Sequence, residues 1–566
     1  MTLYRVFIDD SKYSGWRFIK TETQEDINLD DINPLDMKLF NNDIFTFTNS
    51  NISLEVSTAR EQILSGVLIL DKIYGKQKNG KNERNLYKCV PHDKHLPEFL
   101  IPYTIKTQFS KNLIPIYVCF KFSNWTDKHP TGTITKTIGP VNVLSNFYEY
   151  HICCKNLDFP LKEFKQKAHE AMKGLSTTPD EFLRDTAKDH KIEDRTSQKC
   201  YSIDNQDTTD YDDAFSITFM DDGTVMLSVY ISNVVFWINE LDLWKTFSQR
   251  ISTIYLPDQK RPMLPTLLSD SICSLKEGED RIAFTMDVYI YINREPDIKF
   301  KNTLIRVTKN LSYDGWNKHY NERKYCENVI KYCKMLTSDK INNGHDLINF
   351  LMVFMNHNAA KYLSLFNVGI YRNIHSVECN VNIPETLPKE VHNTLKIMKS
   401  AVGQYVKYNE KINHEFLNLD CYLHITSPIR RLVDLLNMIE LQNRLCINVN
   451  SKKSEEQFYK KWLQKLDYIN TTMRAIRKVQ NDCSMLAYFE MNPIALSKIY
   501  TGYVFDKIKR TDLQYQYNVY IPEIKLTTRI TVIEDFDDYS EHLFSVYTFS
   551  TEYNVKKKIK LQLIKP

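Results

Sequence analysis

What the sequence lacks narrows the possibilities first. No run of about 18 apolar residues goes unbroken, so a helical membrane span is not expected. The opening MTLYRVFIDD turns acidic at Asp9 with no basic flank and apolar core before it, unlike a secretory signal. Its 12 cysteines include no Cys-x-x-Cys pair, and adjacent Cys153 and Cys154 are poorly placed to ligate one tetrahedral metal. Neither a zinc site nor a disulfide framework is indicated, and the thiols read as buried or incidental. No solenoid repeat is evident. With 14 Gly and 19 Pro in 566 residues and 42% hydrophobic content, collagen-like, disordered and coiled-coil classes are excluded. Charge of one sign is also missing, since 74 Lys and Arg against 70 Asp and Glu leave a net +4, so any anion-binding patch must be local. These readings predict an intracellular, cytoplasmic protein without a membrane partner.

What is present is a succession of patterns. The length predicts about four domains. Up to about residue 156, short apolar runs alternate with period 2 between turn residues, as in TLYRVFI, SGVLILDKI and LIPIYVCFKF, which predicts antiparallel strands in small barrels or sandwiches. The Lys/Asn-rich KQKNGKNERN, residues 76–85, reads as a solvated hairpin loop. Helical spacing appears over 161–188, strands resume at CYSID and VMLSVYISNVVFWI, helices dominate from about 321 to 490, and strands return in the last seventy residues. A β, mixed, α, β order predicts separate modules in a multidomain α+β chain.

The sharpest feature is YSIDNQDTTDYDDAFSI, which holds Asp204, Asp207, Asp210, Asp212 and Asp213. Two unit charges about 4 Å apart repel by roughly 4 kcal/mol at an effective dielectric near 20, so such a cluster needs cations or wide spacing. Mg²⁺ takes oxygen ligands, and aspartates at a strand end and the loop after it suit it. An EF-hand would need Gly and Glu where Thr209 and Phe215 fall, and a glycosidase needs only two carboxylates. A solvated acidic turn is the remaining alternative, but such turns seldom sit between strongly apolar strands.

The second feature is YLHITSPIRRLVDLLNMIELQNRL. Ser427 reads as an N-cap, Pro428 as the first helical residue, and Ile429, Leu432, Val433, Leu436 and Ile439 as a buried stripe. Arg430 and Arg431 would then sit in the first turn, where arginine opposes the helix dipole unless an anion is held there. Ser427, Arg430 and Arg431 are therefore candidate phosphate ligands; the bland alternative pairs Arg430 with Asp434 at i+4. A metal site plus a phosphate-binding turn points to phosphodiester chemistry.

These residues resemble the RNase II/RNase R (RNB) exoribonucleases. The pattern Ile-Asp, five residues, Asp-x-Asp-Asp-Ala stands here as Ile203-Asp204, NQDTT, Asp210-Tyr211-Asp212-Asp213-Ala214. A second block runs from Tyr255-Leu256-Pro257 through RPMLPTLLSDSICSLKEGEDR to Arg281, and a third is HITSPIRR, from His424 to Arg431. Three long motifs in the family's order make coincidence implausible. The resemblance extends to IPYTIKTQFSKNLIPIYVCFKFSNWTDKHPTGTITKTIG, similar to the second cold-shock-type OB domain of the eukaryotic exosome's catalytic exonuclease, with Trp125, Pro130 and Gly132 at matching positions.

The resemblance implies a layout. A divergent OB domain would occupy 1–88, a second OB domain 89–165, a helical linker 166–194, the RNB catalytic domain 195–492 and a C-terminal OB domain 493–566. It implies a processive or distributive 3′-to-5′ hydrolytic exoribonuclease that degrades single-stranded RNA with a free 3′ end to nucleoside 5′-monophosphates. Two Mg²⁺ ions, with Mn²⁺ able to substitute, would sit on Asp204, Asp210, Asp212 and Asp213. Asp212, Asp210 and Arg430 would be catalytic, Asp212 matching the aspartate whose loss spares RNA binding, and Tyr255, Ser427, Arg430 and Arg431 would bind substrate. A monomer is expected, and exosome association is not, because no residues remain for the endonuclease domain. Tyr103, Phe120, Phe122 and Trp125 are aromatics of the kind OB domains stack on bases, although half of any alternating set faces a core. Departures are Leu432, Val433, Met438 and Ile439 along the third motif's helix, Gln480 where a glutamate falls in the bacterial enzymes, and Val368 at the second stacking position, with Phe366 or Tyr371 as substitutes. The alternative from another class is an RNA-binding pseudoenzyme of the same fold.

Overall fold

In a computed structural model, which describes residues 2–29, 32–48, 51–79, 82–105, 113–175, 178–292, 294–316, 320–337, 340–374, 383–399, 403–409 and 412–565, the chain divides into two units. One comprises Met1–Asp158, Leu256–Asp258 and Arg477–Pro566, the other Phe159–Tyr255 and Gln259–Ile476.

The first unit holds three five-stranded modules of one design. Strands Leu3–Ile8, Trp16–Lys20, Asp26–Ile27, Ile44–Thr48 and Asn51–Val56, counted one to five, lie in the order 3-2-1-4-5. Leu64–Asn79, Asn82–Pro91, Phe99–Tyr103, Ile116–Asn124 and Thr131–Pro140 keep that order and close into a barrel, because Thr131 of the fifth strand pairs in parallel with Leu100 of the third. Near the C-terminus Ile499–Lys509, Tyr515–Ile521, Leu526–Val532, Glu541–Ser550 and Lys557–Leu563 repeat the order, with the third and fifth strands side by side. Five strands in this arrangement make the partly open or closed barrel of an OB fold.

The boundary between the first two modules differs from the expected residue 88. Leu64–Leu68 pairs with Ile116–Phe120, so residues 64–88 supply strands to the second barrel rather than the first module. The Lys/Asn-rich stretch, expected as a loop, is strand over its described residues: Lys76–Asn79 pairs with Asn82–Asn85 within this barrel. Gly132 is required where it stands: a Cβ there would come 2.9 Å from both the Lys121 carbonyl oxygen and the Phe120 ring.

The four aromatics considered for base stacking, Tyr103, Phe120, Phe122 and Trp125, pack into or against this unit's own core. Phe40 stacks on Trp125 at 4.7 Å between centroids and on Phe99 at 5.9 Å, and Phe122 meets Phe40 edge-on. Phe120 and Trp125 are buried in one cluster with Val6, Phe18 and Phe45, so these rings join the first sheet to the barrel and cannot stack on bases.

In the second unit a seven-stranded sheet runs in the order Glu193–Asp194, Asp297–Arg306, Asp280–Ile290, Val225–Ser232, Asp213–Phe219, Tyr201–Asp204 and Lys309–Ser312. Val225–Ser232 is buried throughout, as a central strand covered on both faces must be. The charge inside this sheet is paired: Arg195 donates to both Asp287 oxygens at 2.7 Å. Helices Lys162–Lys173 and Pro179–Asp189 fall in and around the expected linker, the latter opened by a Thr178–Glu181 capping box. Helix Gly344–Ser364, capped by Asn343, packs on helix Leu432–Arg444. Among the described residues no helix is long and apolar enough to cross a membrane.

Candidate active site

Strand ends place the acidic residues. Asp204 is the last residue of one strand and Asp213 the first of the next, while Asp207, Asp210 and Asp212 occupy the loop between. That loop is held by the second motif. Tyr211 N–H donates to Ser274 Oγ at 3.0 Å, the Ser274 hydroxyl to Thr209 O at 3.0 Å, and Leu275 N–H to Tyr211 O at 3.0 Å. Arg281, buried, donates in turn to the carbonyls of Ser274 and Ser271 at 2.9 and 3.0 Å. The segment from Ser271 to Arg281 thus shapes the loop and contributes no residue to the cavity that the loop lines.

Asp204, Asp207, Asp210, Asp212 and Asp213 line one cavity of about 760 Å³ with Tyr255, Ser427 and Arg430, and every residue of it lies in the second unit. No three of the carboxylates bring an oxygen each within 4.8 Å of one another, so they are spread along a wall rather than converged on a point. Asp212 is 2% exposed and Asp213 6%. Burial pushes the Asp212 carboxyl up to about 7 despite Arg430 and the Ile429 N–H, and the Asp204 carboxyl up to about 6 despite Arg430 and Ser202. Asp213 is driven well above the ordinary carboxylate range by burial and by the charges of Asp204 and Asp212.

Two oxygens in this wall are orphans. Asp204 Oδ2 and Asp212 Oδ2 are buried without a hydrogen-bond partner. Arg430 Nε lies 3.0 Å from Asp212 Oδ2, but out of alignment, so it supplies charge and not a hydrogen bond. Buried acceptors left unpaired are costly, and an all-oxygen carboxylate set with orphaned lone pairs fits a hard divalent cation. Asp204, Asp210, Asp212 and Asp213 are the residues able to hold such ions.

The third motif departs from the expected helix start. Arg430 N–H and Arg431 N–H both return to Ser427 O, Arg431 is extended at φ −136°, and Leu432 N–H donates to Ile251 O at 2.9 Å. The turn therefore ends in a bridge between Arg431 and Ser252, and the α-helix begins at Leu432. Ser427 is not its cap. Its N–H is taken by Asp434 Oδ1 at 2.8 Å, and its Oγ accepts from Arg430 Nη2 at 3.2 Å. The two arginines diverge. Arg430 keeps 45% of its side chain exposed beside the cavity, whereas Arg431 donates to buried Asp434 at 2.7 Å and does not line the cavity. It is Arg431, three residues before Asp434, that makes the helix-face pair considered for Arg430. The backbone N–H of Ile429 meets Asp212 Oδ1 at 3.0 Å, which ties this turn to the acidic loop.

Two cavity residues escaped the sequence. Lys260, five residues after Tyr255, reaches Asp210 Oδ1 at 2.8 Å and Asp270 Oδ1 at 3.1 Å. Burial works against its charge, but those carboxylates more than offset burial and hold it protonated above the usual lysine range. Its place inside the second motif was the available signal. Tyr313 also lines the cavity, stacked on His345 with centroids 3.6 Å apart, and it sits outside all three motifs. Tyr255 is 42% exposed with its hydroxyl 3.5 Å from Asp210 Oδ2. Of the substitutes for a second stacking ring, Tyr371 is excluded, being fully buried and bonded to the carbonyls of Ala360 and Val368; Phe366 is 43% exposed beneath the Arg444 guanidinium.

The RNB domain model matches residues 192–337 and 327–446. Ribonuclease R of Chlamydia muridarum is 24% identical over 389 residues, covering 56% of this chain and 55% of that protein. The chain spans about half the length of the curated relatives it matches. Mycoplasma genitalium RNase R in complex with ribose-methylated single-stranded RNA has a TM-score of 0.70 at 15% identity, covering 99% of this chain and 100% of that one. Yeast Ssd1, a pseudonuclease, has a TM-score of 0.60 at 13% identity, covering 97% and 82%. At such identities the structural likeness speaks for the fold alone.

Proposed function

With an RNB domain over residues 192–446 the chain belongs to the RNB family, and on that premise we propose that it is a 3′-to-5′ exoribonuclease hydrolysing single-stranded RNA to nucleoside 5′-monophosphates. The observation that carries this reading is the pair of orphaned, buried oxygens of Asp204 and Asp212 in the same cavity as the half-exposed Arg430. Two divalent ions, Mg²⁺ foremost, would be held by Asp204, Asp210, Asp212 and Asp213, and when bound they supply Lewis-acid activation of water and neutralise charge on the leaving oxygen. Arg430, oriented by Ser427 and Asp212, presents guanidinium donors to the scissile phosphate and counters the charge that develops there. Tyr255, with Tyr313 on the same cavity, offers a ring face to the terminal bases. Burial of Asp212 keeps water from screening this charge array.

The test is a timed digestion of 5′-labelled single-stranded RNA with and without Mg²⁺, beside identical DNA and the Asp212→Asn variant. Metal-dependent shortening from the 3′ end to a small limit product, absent from DNA and from the variant, is expected. A second reading, an RNA-binding pseudoenzyme, is favoured by one observation: the Lys260 ammonium already sits on Asp210, where a cation is otherwise needed. The fold is compatible with that outcome, as Ssd1 illustrates. Intact RNA retained in a salt-sensitive complex would establish it.

A further inference from the structure

Outside the cavity, and independent of the activity proposed for it, one cluster has the chemistry of a metal site. His357, on helix Gly344–Ser364, faces Asp420 and Cys421, 63 and 64 residues later in the chain, and one ligand atom from each lies within 4.8 Å of the others. His357 Nε2 stands 3.7 Å from Asp420 Oδ1. Ligand atoms about 2.0–2.3 Å from a tetrahedral Zn²⁺ lie about 3.3–3.6 Å apart, so the His357–Asp420 pair already stands near that spacing and the Cys421 sulfur, within 4.8 Å of both, closes the remainder on binding.

A second observation fixes which ring nitrogen is offered. His357 Nδ1 lies 2.9 Å from the Cys421 carbonyl oxygen. A carbonyl only accepts, so Nδ1 carries a proton, and Nε2 is the ring nitrogen that faces Asp420 and can take a metal when it holds no proton of its own. A ring N–H anchored on a backbone carbonyl is the usual outer support of a metal-binding histidine. The neighbourhood is also held in register: Asn356 donates to the Tyr422 hydroxyl at 3.0 Å and accepts the Ile425 N–H at 2.9 Å, beside the trio on both segments. Asp420 Oδ1 accepts the Cys421 N–H at 3.0 Å and, being 73% exposed, retains acceptor capacity toward solvent.

We propose that His357, Asp420 and Cys421 form a site for a thiophilic divalent ion, Zn²⁺ or Co²⁺, that fastens helix Gly344–Ser364 to the segment leading to Arg430. A nitrogen, oxygen and sulfur set favours such ions over Mg²⁺, which suits oxygen ligands. Binding forms the metal–sulfur bond as the Cys421 thiol releases its proton to solvent, and a water completes the tetrahedron. The same helix contributes Ile348 and Met352 to the catalytic cavity, so the ion would stiffen one wall of it.

The probe is Co²⁺ added to the full-length protein in excess Mg²⁺, which occupies the aspartates. A near-ultraviolet thiolate-to-cobalt band with visible bands of tetrahedral intensity is expected, displaced by Zn²⁺. Cys421→Ser should abolish the thiolate band, and His357→Asn should weaken Co²⁺ binding by at least the roughly 10- to 100-fold that loss of an outer partner costs. Cys446→Ser, which removes the exposed thiol among the described residues, should keep the band. Asp420→Asn, at an exposed position, gives a further weakened variant should a buried substitution fail to fold. Absence of the band in the unaltered protein, its survival in Cys421→Ser, or its loss in Cys446→Ser instead would each overturn the proposal.

Discussion

The acidic loop and the aromatic wall of the second barrel both look like ligand sites in the sequence, and the structure treats them in opposite ways. The rings of Phe40, Phe99, Phe120, Phe122 and Trp125 satisfy one another, because an aromatic can be absorbed by any core that needs volume. The aspartates cannot satisfy one another. Five carboxylates in ten residues must be neutralised by cations or by protons, and the fold supplies Arg430 and Lys260 while leaving Asp204 Oδ2 and Asp212 Oδ2 without hydrogen bonds. Unmet acceptor demand shared by neighbouring carboxylates marks the acidic wall, whereas the ring faces of the aromatic wall are met by one another and leave a single buried donor, Trp125 Nε1, without a partner.

The largest effect that would test this contrast is on stability. Trp125→Ala removes a ring stacked on Phe40 in a buried cluster and should cost about 3–5 kcal/mol in denaturant unfolding. RNA cleavage by the folded fraction should be unchanged. If the variant unfolds at the parent denaturant concentration and instead loses RNA affinity, the wall is a binding face and the contrast fails.

The neighbouring arginines repeat the contrast within one turn. Arg430→Met should lower the cleavage rate by about 10²–10³ with little change in the unfolding midpoint, since this side chain is half exposed and Asp212, whose carboxyl burial already raises to about 7, can take a proton when its cation is removed. Arg431→Met should do the reverse, destabilising the protein by about 3 kcal/mol because Asp434 is left buried without its cation. Paired unfolding curves and single-turnover rates decide it; equal kinetic losses from both would return Arg431 to the substrate.

How much of this was legible follows from where each constraint is written. The four metal-motif aspartates lie within ten residues, so their spacing alone brought them together, and strands on either side fixed which end of the sheet they share. Arg430 was legible as a motif residue but not its distinction from Arg431, because that depends on the bridge to Ser252, 179 residues earlier in the chain. The helix start at Ser427 was misread for the same reason: of the N–H groups such a cap would satisfy, that of Ile429 is taken by Asp212 Oδ1, 217 residues earlier, and that of Arg430 by the turn's own Ser427 carbonyl. Three OB modules were visible as alternation, but period 2 says nothing about partners, and residues 64–88 joined the second barrel through pairing with Ile116–Phe120. Tyr313, and the trio of His357, Asp420 and Cys421, carry no local signature. They exist as groups only once the chain is folded.

Lys260 allows the contrast to be sharpened. If it merely steadies Asp210, Lys260→Ala should reduce cleavage about tenfold and raise the Mg²⁺ concentration needed, as the loss of a ligand's outer partner does. Faster cleavage in the variant would mean that the ammonium had been standing where an ion binds, which is the pseudoenzyme reading in chemical form. Rates measured across a Mg²⁺ titration separate these two directions.

The smallest effect concerns protons and metal at the same oxygens. Burial raises the Asp204 and Asp212 carboxyls to about 6 and about 7, above the unfolded value near 3.8. A carboxyl whose folded pKa is raised binds its proton more tightly in the native state, so metal-free stability from these groups is greatest at low pH and declines between about pH 4 and pH 7 as they ionise. A divalent ion competes with those protons and favours the ionised form. The rise in melting temperature on adding Mg²⁺ should therefore be slight near about pH 5 and larger near about pH 8. Asp212→Asn, which keeps an oxygen for the Ile429 N–H but removes one titrating charge, should flatten that dependence and leave the metal-free protein at least as stable at the higher pH. A Mg²⁺ response equal at both pH values in the unaltered protein would mean that the orphaned oxygens are not where the ion binds, and the unmet demand of the acidic loop would have to be met by Arg430 and Lys260 alone.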